Sequence, residues 1–131
     1  MSASAYTMPG FWMGLAVAAL MYVNAIRTVI DPVSFATYMG LPVKAPESIP
    51  WVRVYGLRAL FIALLVTYLL LRADPESLKW AALFGVPLAL GDAWLVRNGR
   101  GRTVSRHLAI AALLLLTAFA MHHWQSVVNG A

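Results

Sequence analysis

The sequence has no cysteine, little charge and no long polar stretch, and each shortage closes off a class of function. Without a thiol there is no disulfide, no cysteine-held iron–sulfur cluster and no thiol nucleophile. Only 11% of residues are charged, ten Lys and Arg against five Asp and Glu, for a formal net charge of +5. The bases gather at the ends of apolar runs instead of spreading over a polar surface with interleaved aromatics. That is the distribution of topology signals and lipid-headgroup contacts, and it argues against nucleic acid as a partner. No Lys or Arg precedes Arg27, so the start of the chain lacks the basic region of a cleaved secretory signal, and its first apolar stretch is expected to remain.

Apolar surface takes the place of charge: 61% of the 131 residues are hydrophobic, with a mean hydropathy of +0.73. Four stretches meet the ~20 mostly apolar residues that a membrane span requires: Gly10–Ile30, Val52–Leu71, Leu78–Val96 and Val104–Trp124. They use most of the chain. The expected architecture is all-α: one transmembrane domain over residues 1–131, an integral membrane four-helix bundle of antiparallel up-down hairpins with both termini on one side.

The connections carry their own signals. Thr7 or Met8 and then Pro9 open the first span, with proline where a missing N–H is harmless. Asp31-Pro32 starts a short interfacial amphipathic helix that ends near Gly40. The following LPVKAPESIP, with three prolines, is irregular and serves either as a spacer or as cover for a cavity mouth. Asp74-Pro75-Glu76-Ser77 is a strong helix start, and its short link makes spans two and three antiparallel neighbours. Pro87 within span three predicts a kink, and Thr103 or Ser105 is placed to cap span four.

Lysine and arginine assign orientation. Arg97, Arg100, Arg102 and Arg106 surround the last loop, and Lys44 and Arg53 lie near the long one, whereas the other side has only Arg72 and Lys79. Basic loops are expected in the cytoplasm and both termini outside. Asn24, Arg27, Asp31, Arg53, Arg58, Asp92 and His107 then share the cytoplasmic half. Gly56, Ala59, Ala63 and Thr67 form a small-residue stripe for close helix approach, and Arg58 points away from it. Arg58 lies ~9 Å along its span and Asp92 ~6 Å from the end of its own, so pairing is feasible by depth; the alternatives are an Arg58 that snorkels to the interface and a bridge that only locks helices together.

Polar groups converging in one half of a small bundle point to a pocket for a small lipophilic molecule, a lipid, a quinone or a terpenoid, with Asn24, Arg27, Arg53, Arg58, Asp92 and His107 as ligand-binding candidates. A second reading is an acid–base enzyme of isomerase, cyclase or epoxide-opening type, in which Asp92 and His107 move protons and Arg58 holds a developing anion. A third is a scaffold without ligand. Haem has weak support, because His107 and His122 lie ~22 Å apart along one helix, and no ligand triad for a metal is visible. Partners beyond the bilayer would be subunits of a membrane complex or further copies of the chain.

The segment RVYGLRALFIALLVTYLLLR, followed by the acid in GDAWLV and by RH at the start of the last span, resembles the DoxX-like small four-helix bacterial membrane proteins. Among them it looks most like the members grouped as domain of unknown function 4267. The resemblance covers roughly Gly10 to Met121 and implies a four-span protein of a bacterial inner membrane. Some DoxX-like relatives are associated with quinone-linked or oxidative-stress membrane complexes. The resemblance implies no established catalytic residue, and the lack of cysteine removes any thiol-based version of that role here.

Overall fold

The computed structural model describes residues 7–43, 45–99, 101 and 103–130; Tyr6 and three of the bases that count toward orientation, Lys44, Arg100 and Arg102, lie outside the described residues. Among the described residues five α-helices follow one another: α1 (Pro9–Ile30), α2 (Pro32–Tyr38), α3 (Ile49–Arg72), α4 (Pro75–Asn98) and α5 (Val104–Gly130), with a short 3-10 turn at Pro46–Ser48 before α3. The four long helices are each long and apolar enough to cross a membrane, and the chain is an integral membrane protein.

Proline in the first turn opens α1, α2, α3 and α4, where the missing N–H had no helical partner to lose. This is why α3 begins at Ile49, before the expected Val52: Pro50 sits inside the first turn without breaking it. Asp31 ends α1 and caps α2, its carboxylate accepting from the Ser34 amide at 3.1 Å. Asp74 caps α4 by accepting from the amides of Glu76 and Ser77 and from the Ser77 hydroxyl. Helix α4 continues unbroken through Pro87, whose ring lies on the exposed side. At the far end α5 runs past Trp124, where Gln125 donates to Glu76 at 2.9 Å and lies 3.4 Å from Lys79, which pairs with Glu76 at 2.7 Å.

Helices α3 and α4 run antiparallel, as their short link through left-handed Ala73 requires, but each packs closely with another partner: α1 lies along α3, and α4 along α5. The small residues decide this. Gly56, Ala59 and Ala63 are buried, and Gly56 receives the Thr28 side chain of α1, where a Cβ would collide with the threonine hydroxyl. Gly14 of α1 faces Leu70 of α3, while Gly85 of α4 faces Leu114 of α5. The two pairs meet at their ends more than along their lengths. At the end where α1 begins and α3 finishes, Met8, Phe11, Leu70, Leu78 and Met121 form an apolar cluster.

At the opposite end, helix α2 joins the pairs. Gly40 ends it at φ +90°, a conformation glycine adopts without strain, and the Met39 carbonyl accepts from the Thr103 hydroxyl at 2.7 Å. Arg106 donates to the Tyr38 carbonyl at 3.0 Å. Thr103, expected as a side-chain cap for α5, therefore spends its hydroxyl on an orphan carbonyl at the end of α2.

Aromatic residues mark the depth of the membrane. Trp12, Tyr68 and Trp80 are exposed toward one end and Trp51, Trp94 and Tyr38 toward the other. Trp51 and Tyr68 are ~26 Å apart along α3, close to the thickness of a hydrocarbon core.

Candidate functional site

Because the pairs α1:α3 and α4:α5 join chiefly at their ends, a chamber of about 490 Å³ remains between them, lined by all four long helices. Along most of its length the walls are apolar, with Met13, Val17, Ile62, Leu88 and Leu113 among the side chains facing it. Polar side chains collect where α2 closes it. A second cavity of about 400 Å³ lies beyond, walled by α2, the proline-containing connection and the adjoining ends of α3, α4 and α5. Leu41, Pro42, Val43 and Ser48 line it, so the long connection covers a cavity.

Met39, Tyr55, Arg58, Asp92 and His107 face both spaces. They form the partition. Nη2 of Arg58 lies 3.1 Å from each carboxylate oxygen of Asp92, joining α3 to α4 across the gap between the pairs. The pair is partly open, with side chains 38% and 20% accessible, as expected for groups exposed to a cavity on either side. The Arg58 guanidinium also lies over the Tyr55 ring at 4.7 Å, and Tyr55 contacts Phe35 of α2 at 5.5 Å between centroids. Stacking on Tyr55 covers one face of the guanidinium while its edge meets the acid.

Asn24 on α1 and His107 on α5 complete the polar end of the chamber, each only 5% accessible. Among the described residues neither side chain hydrogen-bonds to the protein. Thr117, also in the wall, is satisfied by its own helix through the Leu113 carbonyl at 2.8 Å.

Four of the candidate residues, Asn24, Arg58, Asp92 and His107, are therefore brought to one chamber. Arg27 is not among its lining residues; its guanidinium stacks over Tyr38 at 4.7 Å and lies 5.9 Å from the Phe35 centroid. Arg53 is exposed and lines neither cavity. Tyr38, Tyr55, Phe35 and Arg106 belong to the site although the sequence singled none of them out as a binding residue. Arg106 stacks on Tyr38 at 4.4 Å, so one tyrosine carries two arginines at the rim. One signal was available: Tyr55 precedes Arg58 by three residues and so shares its helix face.

The arrangement holds charge in balance at the partition and offers neutral donors and acceptors beside an apolar space. Among the described residues no three His, Asp or Glu side chains stand close enough to hold a metal ion.

A family model, the domain of unknown function DUF4267, matches residues 18–121, from within α1 to near the end of α5. The chain belongs to the DUF4267 family. The match takes in every residue of the partition and the chamber's polar end, while the part of the chamber wall around Met13 and Val17 of this DUF4267 chain precedes the matched region. No curated protein and no solved structure matches the chain.

Proposed function

We propose that this protein binds a small lipophilic molecule, of lipid, quinone or terpenoid type, in the chamber between its two helix pairs. The supporting observation is the chamber itself: about 490 Å³ of mostly apolar space with polar groups at one end. Its size falls within the ~300–1,000 Å³ usual for small-molecule sites. An apolar body fits the wall and a polar end fits the level of Arg58 and Asp92. Lipid surrounds the exposed apolar faces of the helices, so such a ligand reaches the protein from the bilayer. With basic loops in the cytoplasm, the polar end opens toward the cytoplasmic leaflet.

Native mass spectrometry of the protein released from nanodiscs prepared with membrane lipid extracts tests this reading. The expected result is a stoichiometric small-molecule adduct that Ala81→Phe removes, because residue 81 lines the chamber. An adduct indifferent to that substitution, or no adduct across the extracts, overturns it. The absence of cysteine provides a clean test of orientation: single cysteines introduced at Ser126 and Ser105, both exposed, report their side through a membrane-impermeant maleimide. Labelling at position 126 from outside and at 105 only after permeabilisation is expected; the reverse pattern would invert the protein.

A further inference from the structure

The chamber's polar groups also specify the head of the molecule. Asn24 and His107 are 95% buried by accessibility, they lie on α1 and α5 at the same end of the chamber, and neither makes a side-chain hydrogen bond among the described residues. Among the described residues no fully enclosed side-chain nitrogen or oxygen lacks a partner, so the polar atoms of these two residues are turned to the open space and not sealed in the packing. Two buried amide- and imidazole-bearing side chains left without protein partners are costly, and a bound group that hydrogen-bonds both removes the cost. Carboxamide and imidazole each supply a donor and an acceptor without requiring a charge.

Charge decides what kind of group this is. Arg58 and Asp92 balance each other, and the carboxylate has both oxygens on one guanidinium nitrogen. Among the described residues the remaining charged side chain of the wall, Arg106, sits at the exposed rim, stacked on Tyr38 and donating to its carbonyl. An ionised head at the depth of Asn24 would lie in an apolar, low-dielectric space whose nearest opposite charge is already paired. We infer that the ligand is an uncharged amphiphile whose oxygen head, a hydroxyl or a carbonyl, is hydrogen-bonded by Asn24 and His107 while its apolar body fills the rest of the chamber. This rests on the chamber being a ligand site.

Three labelled probes with the same chain and different heads separate the possibilities: dodecanol, dodecanoate and dodecane, each titrated against the whole protein in nanodiscs with uptake by empty nanodiscs subtracted. At a pH where the carboxylate is ionised, dodecanol is expected to bind saturably, one per chain, and at least about tenfold more tightly than either of the others. Asn24→Leu and His107→Leu should each weaken dodecanol about tenfold while leaving dodecane unchanged. Dodecanoate binding as tightly as dodecanol would move the head to Arg106 and Arg27 at the rim and overturn the inference. Equal binding of dodecane and dodecanol would overturn it too, leaving an apolar chamber without a head site. Saturable binding of none of the three would overturn the chamber reading itself. The comparison among probes is made on the unaltered protein and so survives a variant that fails to fold.

Discussion

The two ends of the molecule hold the same four helices together by opposite means. At the end where α1 begins and α3 finishes, Met8, Phe11, Leu70, Leu78 and Met121 close the gap between the pairs with contacts that need no direction, and Met121 is completely buried. At the other end the gap is spanned by the Arg58–Asp92 pair and by α2, tied down through the carbonyls of Tyr38 and Met39. Apolar closure fills space, whereas polar closure spans it. A chamber persists between them because one end packs solid and the other is bridged without being filled.

Breaking the solid end should have the largest effect. Met121→Ala leaves a void among fully buried side chains and is expected to cost about 2–5 kcal/mol, seen in denaturant or thermal unfolding, with dodecanol binding retained by the folded fraction. Next comes the bridge. Asp92→Asn strands the Arg58 charge at depth and should cost about 2–3 kcal/mol, since an unpaired arginine inside a membrane carries a penalty of that order. Replacing both residues by leucine should restore most of that loss while opening the partition; a double variant as unstable as Asp92→Asn alone would mean that the pair does more than neutralise itself. Gly56→Ala pushes a methyl into Thr28 and is expected to cost about 1–3 kcal/mol. Thr103→Val removes one hydrogen bond from the α2 tie, for about 0.5–1.5 kcal/mol, and should increase hydrogen exchange near Met39 and Gly40 before any global change.

The smallest effect is at Asp74, outside the spans. The Ser77 hydroxyl and amide, with the Glu76 amide, hold its carboxyl below the ordinary aspartate range. A depressed folded value means that the contribution is fully present above the unfolded aspartate pKa, ~3.9, and is lost as pH falls through the lower folded value. Asp74→Ala should lower stability by about 1 kcal/mol at neutral pH and by progressively less in acid. A difference that grew on acidification would contradict the cap.

Much of this contrast was legible in the residue order. Hydropathy placed the spans, Asp74-Pro75 placed the start of α4, and the Gly56, Ala59, Ala63 stripe with Arg58 on another side foreshadowed a helix between two different neighbours. Depth counting brought Arg58 to Asp92. Partner choice was less accessible: a short link implies proximity, yet α3 and α4 are linked by two residues and still pack elsewhere, because shape complementarity between glycine and threonine is a property of two surfaces and not of a linker. The position of α2 was equally hidden. Its amphipathic pattern announced an interfacial helix, but nothing in that pattern said that Phe35 and Tyr38 would gather Arg27, Arg106 and, through Tyr55, Arg58. Arg53 shared a depth with the others and lies outside the cavities, since depth does not fix the direction a side chain takes around its helix.

The seat of Thr28 in Gly56 also sets the register of one helix against another. Thr28 is wholly inaccessible and its hydroxyl bonds to its own helix at the Ala25 carbonyl, so what it presents to α3 is shape alone. Sliding α3 by one turn, ~5.4 Å, would bring Val52 or Leu60 under it in place of a glycine. Longitudinal travel between α1 and α3 is thereby blocked, as by a pin in a slot. The offset between Asn24 on α1 and Arg58 on α3 is thereby fixed along the helix axes.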